Sequence, residues 1–208
     1  TLRFGQALAS ASLICARDAR SHEHLSRIAG PAARRIETYP DFTLAVPGEA
    51  QAAVRWRVDR TTALVVPNAE MQGPRNPDVS SRSGYAALLE ALARRLRELG
   101  YTPRVLNHEG PADAPLCEAL NAAVGGDPII DEEDPAAVKG VIGAAGIVVS
   151  SRFHGCASAL SQSVPCLATA WSHKYGELFA DYGVGECVLR SADAETAVSR
   201  LDALVAGR

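Results

Sequence analysis

The sequence predicts an α/β fold, a doubly wound parallel sheet of the Rossmann type, on three observations. From about residue 61 to the end, short apolar runs alternate with helical patterns, which is the order of elements in such sheets. The runs are hydrophobic almost throughout, as in Ile147-Val-Val149, and parallel strands buried on both faces read this way. Polar and charged residues collect where a run ends and a helix begins. Open α/β sheets bind their ligands there, at the carboxyl ends of the strands.

Each element can be justified in order. Residues 2–13 read as a helix and Leu13-Ile-Cys15 as the end of a strand. Ser21 to Ala29 reads as a second helix stopped by Gly30-Pro31, and Phe42 to Val46 as a strand. Residues 1–48 are therefore expected to be the C-terminal remainder of an N-terminal Rossmann-like domain. The polar stretch 49–60 is read as a linker, and 61–208 as a C-terminal Rossmann-like domain. That domain opens with a strand at Ala63–Pro67 and a loop at 68–82. A strong amphipathic helix, Ser83 to Gly100, follows. Its residues Tyr85, Leu88, Leu89, Leu92, Leu96 and Leu99 keep the three-and-four spacing, and Gly100 ends it. Next come a strand at Pro103–Asn107, a helix at about 113–124 with Asp113 as its cap, and a short strand at Pro128–Ile130. Asp134-Pro135 opens a helix with proline at its first position. Ile147–Val149 is a buried strand, followed by a helix from about Gly155 to Ser163. A strand at Cys166–Ala170, a helix near 174–182, a strand at Cys187–Leu189 and a helix at about 193–206 complete the series.

Composition excludes several classes. The chain has 208 residues, of which 47% are hydrophobic and 22% charged, an ordinary balance for a globular protein. The formal net charge is −3, whereas a bulk nucleic-acid binder would be basic, so no nucleic-acid partner is expected. No stretch approaches the ~18 apolar residues of a membrane span, and nothing at the start reads as a signal peptide. The first residue is Thr1 and not Met, which points to a processed chain or a piece of a longer one. Five cysteines, at 15, 117, 156, 166 and 187, contain no CxxC and sit among apolar or small residues. They read as buried reduced thiols of a cytoplasmic protein. There is no Walker A motif, no GxGxxG, no G-x-S-x-G and no HxxxH, and no protein-bound metal is expected.

The richest stretch for function is Gly146-Ile-Val-Val-Ser-Ser-Arg-Phe-His-Gly-Cys-Ala-Ser-Ala-Leu160. Here a buried strand runs into Ser151, Arg152 and His154, and a helix of small residues starts at Gly155. Helix N-termini favour anions through their backbone N–H groups and dipole. Arg152 and His154 are two apart, so an extended backbone aims both to one side. A fixed guanidinium beside an imidazole suits a phosphate or carboxylate ligand that also needs a proton moved. The competing reading pairs Arg152 with a core carboxylate and makes His154 a helix cap. Trp171-Ser-His-Lys-Tyr175 repeats the pattern one strand later. There His173 and Lys174 could meet an anion, or could simply start a solvent-facing helix. His108 stands at the carboxyl end of another strand, with Asp113 beyond it read as a plain N-cap. Arg17 follows the strand ending at Cys15. His22 and His24 read as exposed.

These residues together resemble the polysaccharide pyruvyl transferase family. The resemblance runs through Ile147-Val-Val-Ser-Ser-Arg-Phe-His-Gly, Ala159-Leu, Val164-Pro, Trp171-Ser-His-Lys-Tyr and Tyr182-Gly183. Upstream it includes Arg17-Asp18 with Ser21, Pro40-Asp41, and His108 followed by Asp113. Phe153 stands where that family commonly has leucine, and Ser163 where it commonly has glycine. The resemblance implies a GT-B-like fold with two Rossmann-like domains. It also implies transfer of pyruvate from phosphoenolpyruvate, as donor substrate and with no further cofactor, to a sugar of a cell-surface or exopolysaccharide as a ketal. On that reading the partners are a small-molecule donor and a saccharide acceptor, and homo-oligomers are compatible with it. The location is the cytoplasm or the inner face of the membrane. His154 would be the general acid/base and Arg152 its catalytic partner. Arg17, His108, Ser151, Gly155, His173 and Lys174 would bind substrate. Two rivals are weighed against this. One is a GT-B glycosyltransferase with a nucleotide-sugar donor, for which Glu177 would have to hold a ribose. The other is a non-enzymatic sugar-binding module, disfavoured because aromatic residues are only 5% of the chain.

Overall fold

A computed structural model describes residues 2–125, 127–170 and 172–207. The chain divides into two compact units, one ending at Ala45 and the other beginning at Val46.

The first unit contains α1 (Leu2–Ser10), β1 (Ile14–Ala16), α2 (Ala19–Ala29) and β2 (Ile36–Thr38). β1 and β2 pair in parallel, with Ile14 opposite Ile36. Leu8, Ile14, Ala16, Ala29, Ala32 and Ile36 form its small core. Asp18 caps α2 by accepting from the Ser21 N–H at 2.6 Å, so the Arg17-Asp18…Ser21 pattern is in part a helix start. Three expectations are corrected here. Gly30-Pro31 does not end the helical path, because a 3-10 run continues over Gly30–Arg35. Its proline lies in the first turn, where no N–H is needed. β2 escapes the sequence pattern because only Ile36 of its three residues is buried. Phe42–Val46 is not a strand: Phe42–Ala45 is a 3-10 turn. The Asp41 carboxylate bends it by accepting from both the N–H and the hydroxyl of Thr43, and Phe42, 80% exposed, has no sheet face to fill.

The second unit begins with α3 (Ala50–Trp56) and β3 (Thr62–Val66). Then come α4 (Val79–Glu98), β4 (Thr102–Asn107), α5 (Ala114–Val124), β5 (Ile130–Asp131) and α6 (Pro135–Ala144). β6 (Ile147–Ser150), α7 (Phe153–Leu160), β7 (Cys166–Thr169), α8 (His173–Asp181), β8 (Val188–Leu189) and α9 (Ala194–Ala206) complete it. The strands form one all-parallel sheet in the order β5-β4-β3-β6-β7-β8. The order reverses between β3 and β6, the switch point at which doubly wound sheets bind ligands. Every residue of β3 and β6 is buried, which explains their unbroken apolar reading.

α4 starts at Val79, four residues before the periodicity suggests. Asp78 caps it, its carboxylate accepting from the N–H groups of Ser80 and Ser81, which with both serine hydroxyls hold its pKa down at about 2. Tyr85, Leu88, Leu89, Leu92 and Leu96 are buried against the sheet, each large apolar chain contributing roughly 1.5–3 kcal/mol by leaving water. The stretch 49–60, read as a linker, carries α3, which packs on α6 with Ala52 and Ala53 buried. The two backbones meet so closely that a Cβ on Gly140 would overlap the Glu49 carbonyl. Cys15 is exposed, contrary to the expectation of five buried thiols, because it points away from the small core between buried Ile14 and Ala16.

At the amino ends of β3 and β4, an open concavity of about 450 Å³ is lined by Arg55, Arg57, Thr62 and Arg104 among others. Arg104 donates from Nη1 to the Trp56 carbonyl and from Nη2 to the Pro128 carbonyl, 3.0 Å away. This guanidinium fastens the end of α3 to the approach to β5.

Candidate functional site

Three loops converge at the carboxyl ends of β3, β4 and β6, and one carboxylate joins them. Asp113, 0% exposed, accepts from the Ala69 N–H beyond β3 at 2.9 Å. It also takes a two-pronged bond from Arg152 beyond β6, Nε at 2.8 Å and Nη2 at 2.6 Å. This corrects its reading as a plain N-cap. Asp113 occupies the cap position of α5, but its side chain makes no capping bond, both oxygens being committed to the neighbouring loops. Glu109 completes the group, accepting from Arg152 Nη1 at 3.0 Å. Burial, the largest influence on Arg152, opposes its charge, but the Asp113 hydrogen bond and the charges of Asp113 and Glu109 outweigh it and raise its pKa.

Below Arg152 lies a sealed polar knot. Ser151 is fully buried. Its hydroxyl bonds to Tyr85 from α4 and lies 2.5 Å from the Thr169 hydroxyl at the end of β7. Its carbonyl accepts from Asn68 Nδ2 at 2.9 Å and from the Tyr175 hydroxyl at 2.7 Å. Burial raises the pKa of both tyrosines, so they remain donors. Four strand ends are thus tied at a single residue, and a fully satisfied network of this kind is rigid.

α7 begins at Phe153 and not at Gly155. Arg152 is its extended N-cap residue and His154 lies in the first turn, so the two are not aimed by a continuous extended backbone. They nevertheless remain neighbours of His108, whose pKa is lowered by burial first, then by the charge of Arg152, with His154 contributing in the same direction. His108 Nδ1 is buried without a hydrogen-bond partner. His154 itself is exposed. Gly155 is required for close packing, because a Cβ there would lie 2.6 Å from Ser150 Oγ.

Phe153 is the platform for the outer face. Its ring meets that of His154 edge-on at 5.4 Å and that of Tyr175 at 5.9 Å. The Lys174 ammonium stands 5.1 Å from its centroid and 5.6 Å from that of Tyr175, within cation–π range. An aromatic ring in place of the more common leucine therefore gives Lys174 a surface to rest on. His173 is exposed at the start of α8, and Trp171 lies outside the described residues.

The second unit thus gathers His108, Ser151, Arg152, His154, Gly155 and Lys174 at the switch point. Arg17 belongs to the first unit, where its Nη1 lies 3.4 Å from Asp41 beside an open concavity of about 900 Å³ formed with Cys15, Tyr39, Pro40 and Phe42. Ser172, the cap of α8, also has a buried hydroxyl without a partner. Among the described residues no cluster of three or more His, Cys, Asp or Glu could hold a metal ion, and no helix is long and apolar enough to cross a membrane.

Comparison with family models matches residues 2–173 to one described as polysaccharide pyruvyl transferase. The chain belongs to that family. The matched span contains the whole Asp113–Arg152–His154 group and ends one residue before Lys174. No curated protein matches the chain significantly. Membership makes this a transferase domain acting in polysaccharide biosynthesis, and the Rossmann-like sheet expected from the sequence is present in the second unit. Of the residues that build the site, sequence reasoning missed Asn68, Tyr85, Glu109, Thr169 and the pairing role of Asp113. Asn68 and Thr169 stand at or just beyond strand ends, a usable signal. Tyr85 hides among the apolar positions of α4.

Proposed function

We propose that this pyruvyl transferase takes its pyruvyl group from phosphoenolpyruvate and joins it to two hydroxyls of a sugar as a ketal. Phosphoenolpyruvate is a small polyanion that needs cations for its phosphate and carboxylate and an acid for its methylene carbon. His154, exposed in the first turn of α7, is assigned as that acid. Protonating the methylene carbon leaves C2 electrophilic, and a sugar hydroxyl adds to it while giving its proton to the now neutral imidazole. A second hydroxyl then attacks C2, the C2–O bond to phosphate breaks, and inorganic phosphate leaves as the ketal closes. General acid–base catalysis of this kind is worth about 10²–10⁴-fold in rate.

Arg152 is assigned to the donor's phosphate or carboxylate, with Lys174 as second cation and the first-turn amides of α7 as neutral donors. His108, with its depressed pKa, would enter the site uncharged and orient rather than attract. Ser151 supports the others from below, and Gly155 lets α7 approach β6. His173 and, from the first unit, Arg17 are carried as further substrate contacts.

The observation that carries this reading is the guanidinium locked by Asp113 next to two histidines at the switch point. The test is to incubate the protein with phosphoenolpyruvate and a panel of sugars while following phosphate release. Calorimetric titrations with phosphoenolpyruvate and with uridine diphosphate run alongside. Acceptor-dependent release that is lost in His154→Ala with an unchanged melting curve is expected. Binding of uridine diphosphate in place of phosphoenolpyruvate would instead assign a nucleotide-sugar donor.

A further inference from the structure

Two carboxylates hold Arg152, and they hold it unequally. Asp113 is fully buried and grips the Nε/Nη2 edge through two bonds. Glu109 meets Nη1 through one, and its side chain is 55% exposed while that of Arg152 is only 15% exposed. Ion pairs in such exposed positions contribute little, because water competes for both partners and screens them, whereas breaking a buried pair strands a charge. A guanidinium has five N–H groups and two planar edges onto which a carboxylate or phosphate can fork. With Asp113 on one edge, the Nη1/Nη2 edge is left for a second anion, and the Glu109 carboxylate stands at it.

We infer that Glu109 fills the anion seat of the site: its carboxylate rests on Arg152 until the phosphate or carboxylate of the donor displaces it, while Asp113 stays bound. This rests on the proposed role of Arg152 as an anion clamp, but not on which anion is the donor. The local chain suits such an exchange. Glu109 leads into a 3-10 turn, Gly110–Ala112, and Gly110 has φ 60°, a left-handed conformation glycine adopts without strain. Asp113, by contrast, is fixed by a backbone N–H as well as by Arg152. In the seat, Glu109 satisfies Arg152 when no donor is present. As the donor enters, it must give way, and its charge opposes binding of the incoming anion. Glu109 is a positioning residue on this account, with no proton to carry.

The test is calorimetric titration of inorganic phosphate, and separately of phosphoenolpyruvate, into wild-type protein and Glu109→Gln, which keeps the side-chain length and removes the charge. Phosphate is expected to bind the variant about five-fold more tightly. Phosphate binding that is unchanged, weakened or absent in both proteins overturns the inference. Tightened phosphate binding with no binding of phosphoenolpyruvate leaves the seat intact and removes the phosphoenolpyruvate reading instead. In turnover, KM for the donor should fall in step with the phosphate affinity. A collapse of kcat at unaltered KM would make Glu109 a proton carrier and overturn the inference as well.

Discussion

The two ends of the second unit's sheet each bury an arginine, and they use it differently. At the amino end, Arg104 is held by two backbone carbonyls. Among the described residues it has no ion pair, and its pKa is lowered by burial. At the carboxyl end, Arg152 is held by two carboxylates, and its pKa is raised despite burial. A guanidinium on carbonyls is a fastener: it satisfies backbone acceptors, and its charge is a cost. A guanidinium on a fixed carboxylate is a positioned charge with an edge to spare. The difference shows that burying a cation does not by itself make a site, and that the buried partner decides what the cation is for.

The largest effects should come from breaking that partnership. Asp113→Ala leaves Arg152 without its buried counter-charge and should cost about 3–5 kcal/mol in urea unfolding. Arg104→Met should cost less, about 1–3 kcal/mol, because it removes hydrogen bonds to carbonyls but no buried ion pair. A double-mutant cycle over Asp113 and Arg152 should return a clear coupling energy, and additivity there would erase the contrast.

Close packing gives the next contrast. A Cβ on Gly146, at the amino end, would run into the Arg60 carbonyl, which is backbone and cannot step aside. A Cβ on Gly155 meets the Ser150 hydroxyl, a side chain. Both alanine variants should lose stability, on the order of 1–3 kcal/mol, with Gly146→Ala the worse by thermal melting. The reverse order would mean the carboxyl end is the more rigid of the two.

Titration separates the ends further. The pKa of His108 is depressed, by burial before all else, so the folded protein holds its imidazole neutral where the unfolded chain takes up a proton. Stability from this source is present above the ordinary histidine value of about 6.5 and is lost as pH falls below it. Denaturant midpoints between pH 7 and 5 should fall less steeply in His108→Gln than in the wild type. Equal slopes would show that His108 is not the group responsible.

The smallest effect lies on the loops leading to the amino ends. Ser163, before β7, has φ 58°, a left-handed conformation that strains any residue with a Cβ. The family's more common glycine at this position follows from that geometry. Ser163→Gly should raise stability by up to ~1 kcal/mol, the strain relieved less the entropy glycine adds to the unfolded chain.

These elements also show what the sequence could and could not reveal. β3 and β6 were legible because central parallel strands are apolar on both faces, and α4 because its buried face repeats at helical spacing. β2 was not, because an isolated pair of short strands needs only one buried residue in each. The site was legible where polar residues follow a strand, as at Arg152 and His154. Asp113 was misread because an aspartate before a helix is usually a cap, and its partner lies 39 residues away in the chain. Tyr85 was absorbed into the apolar face of α4, since nothing local marks a hydroxyl that bonds across the sheet.

The central claim is that the carboxyl end of this sheet, through Arg152, receives the donor. It is tested most directly by titrating phosphoenolpyruvate into wild-type protein, Arg152→Lys and, as an amino-end control, Arg55→Lys. Lysine keeps the charge but loses the planar fork, so Arg152→Lys should bind the donor roughly ten-fold more weakly or worse, while Arg55→Lys binds it as the wild type does. Unchanged binding in Arg152→Lys, or a loss confined to Arg55→Lys, would contradict the account.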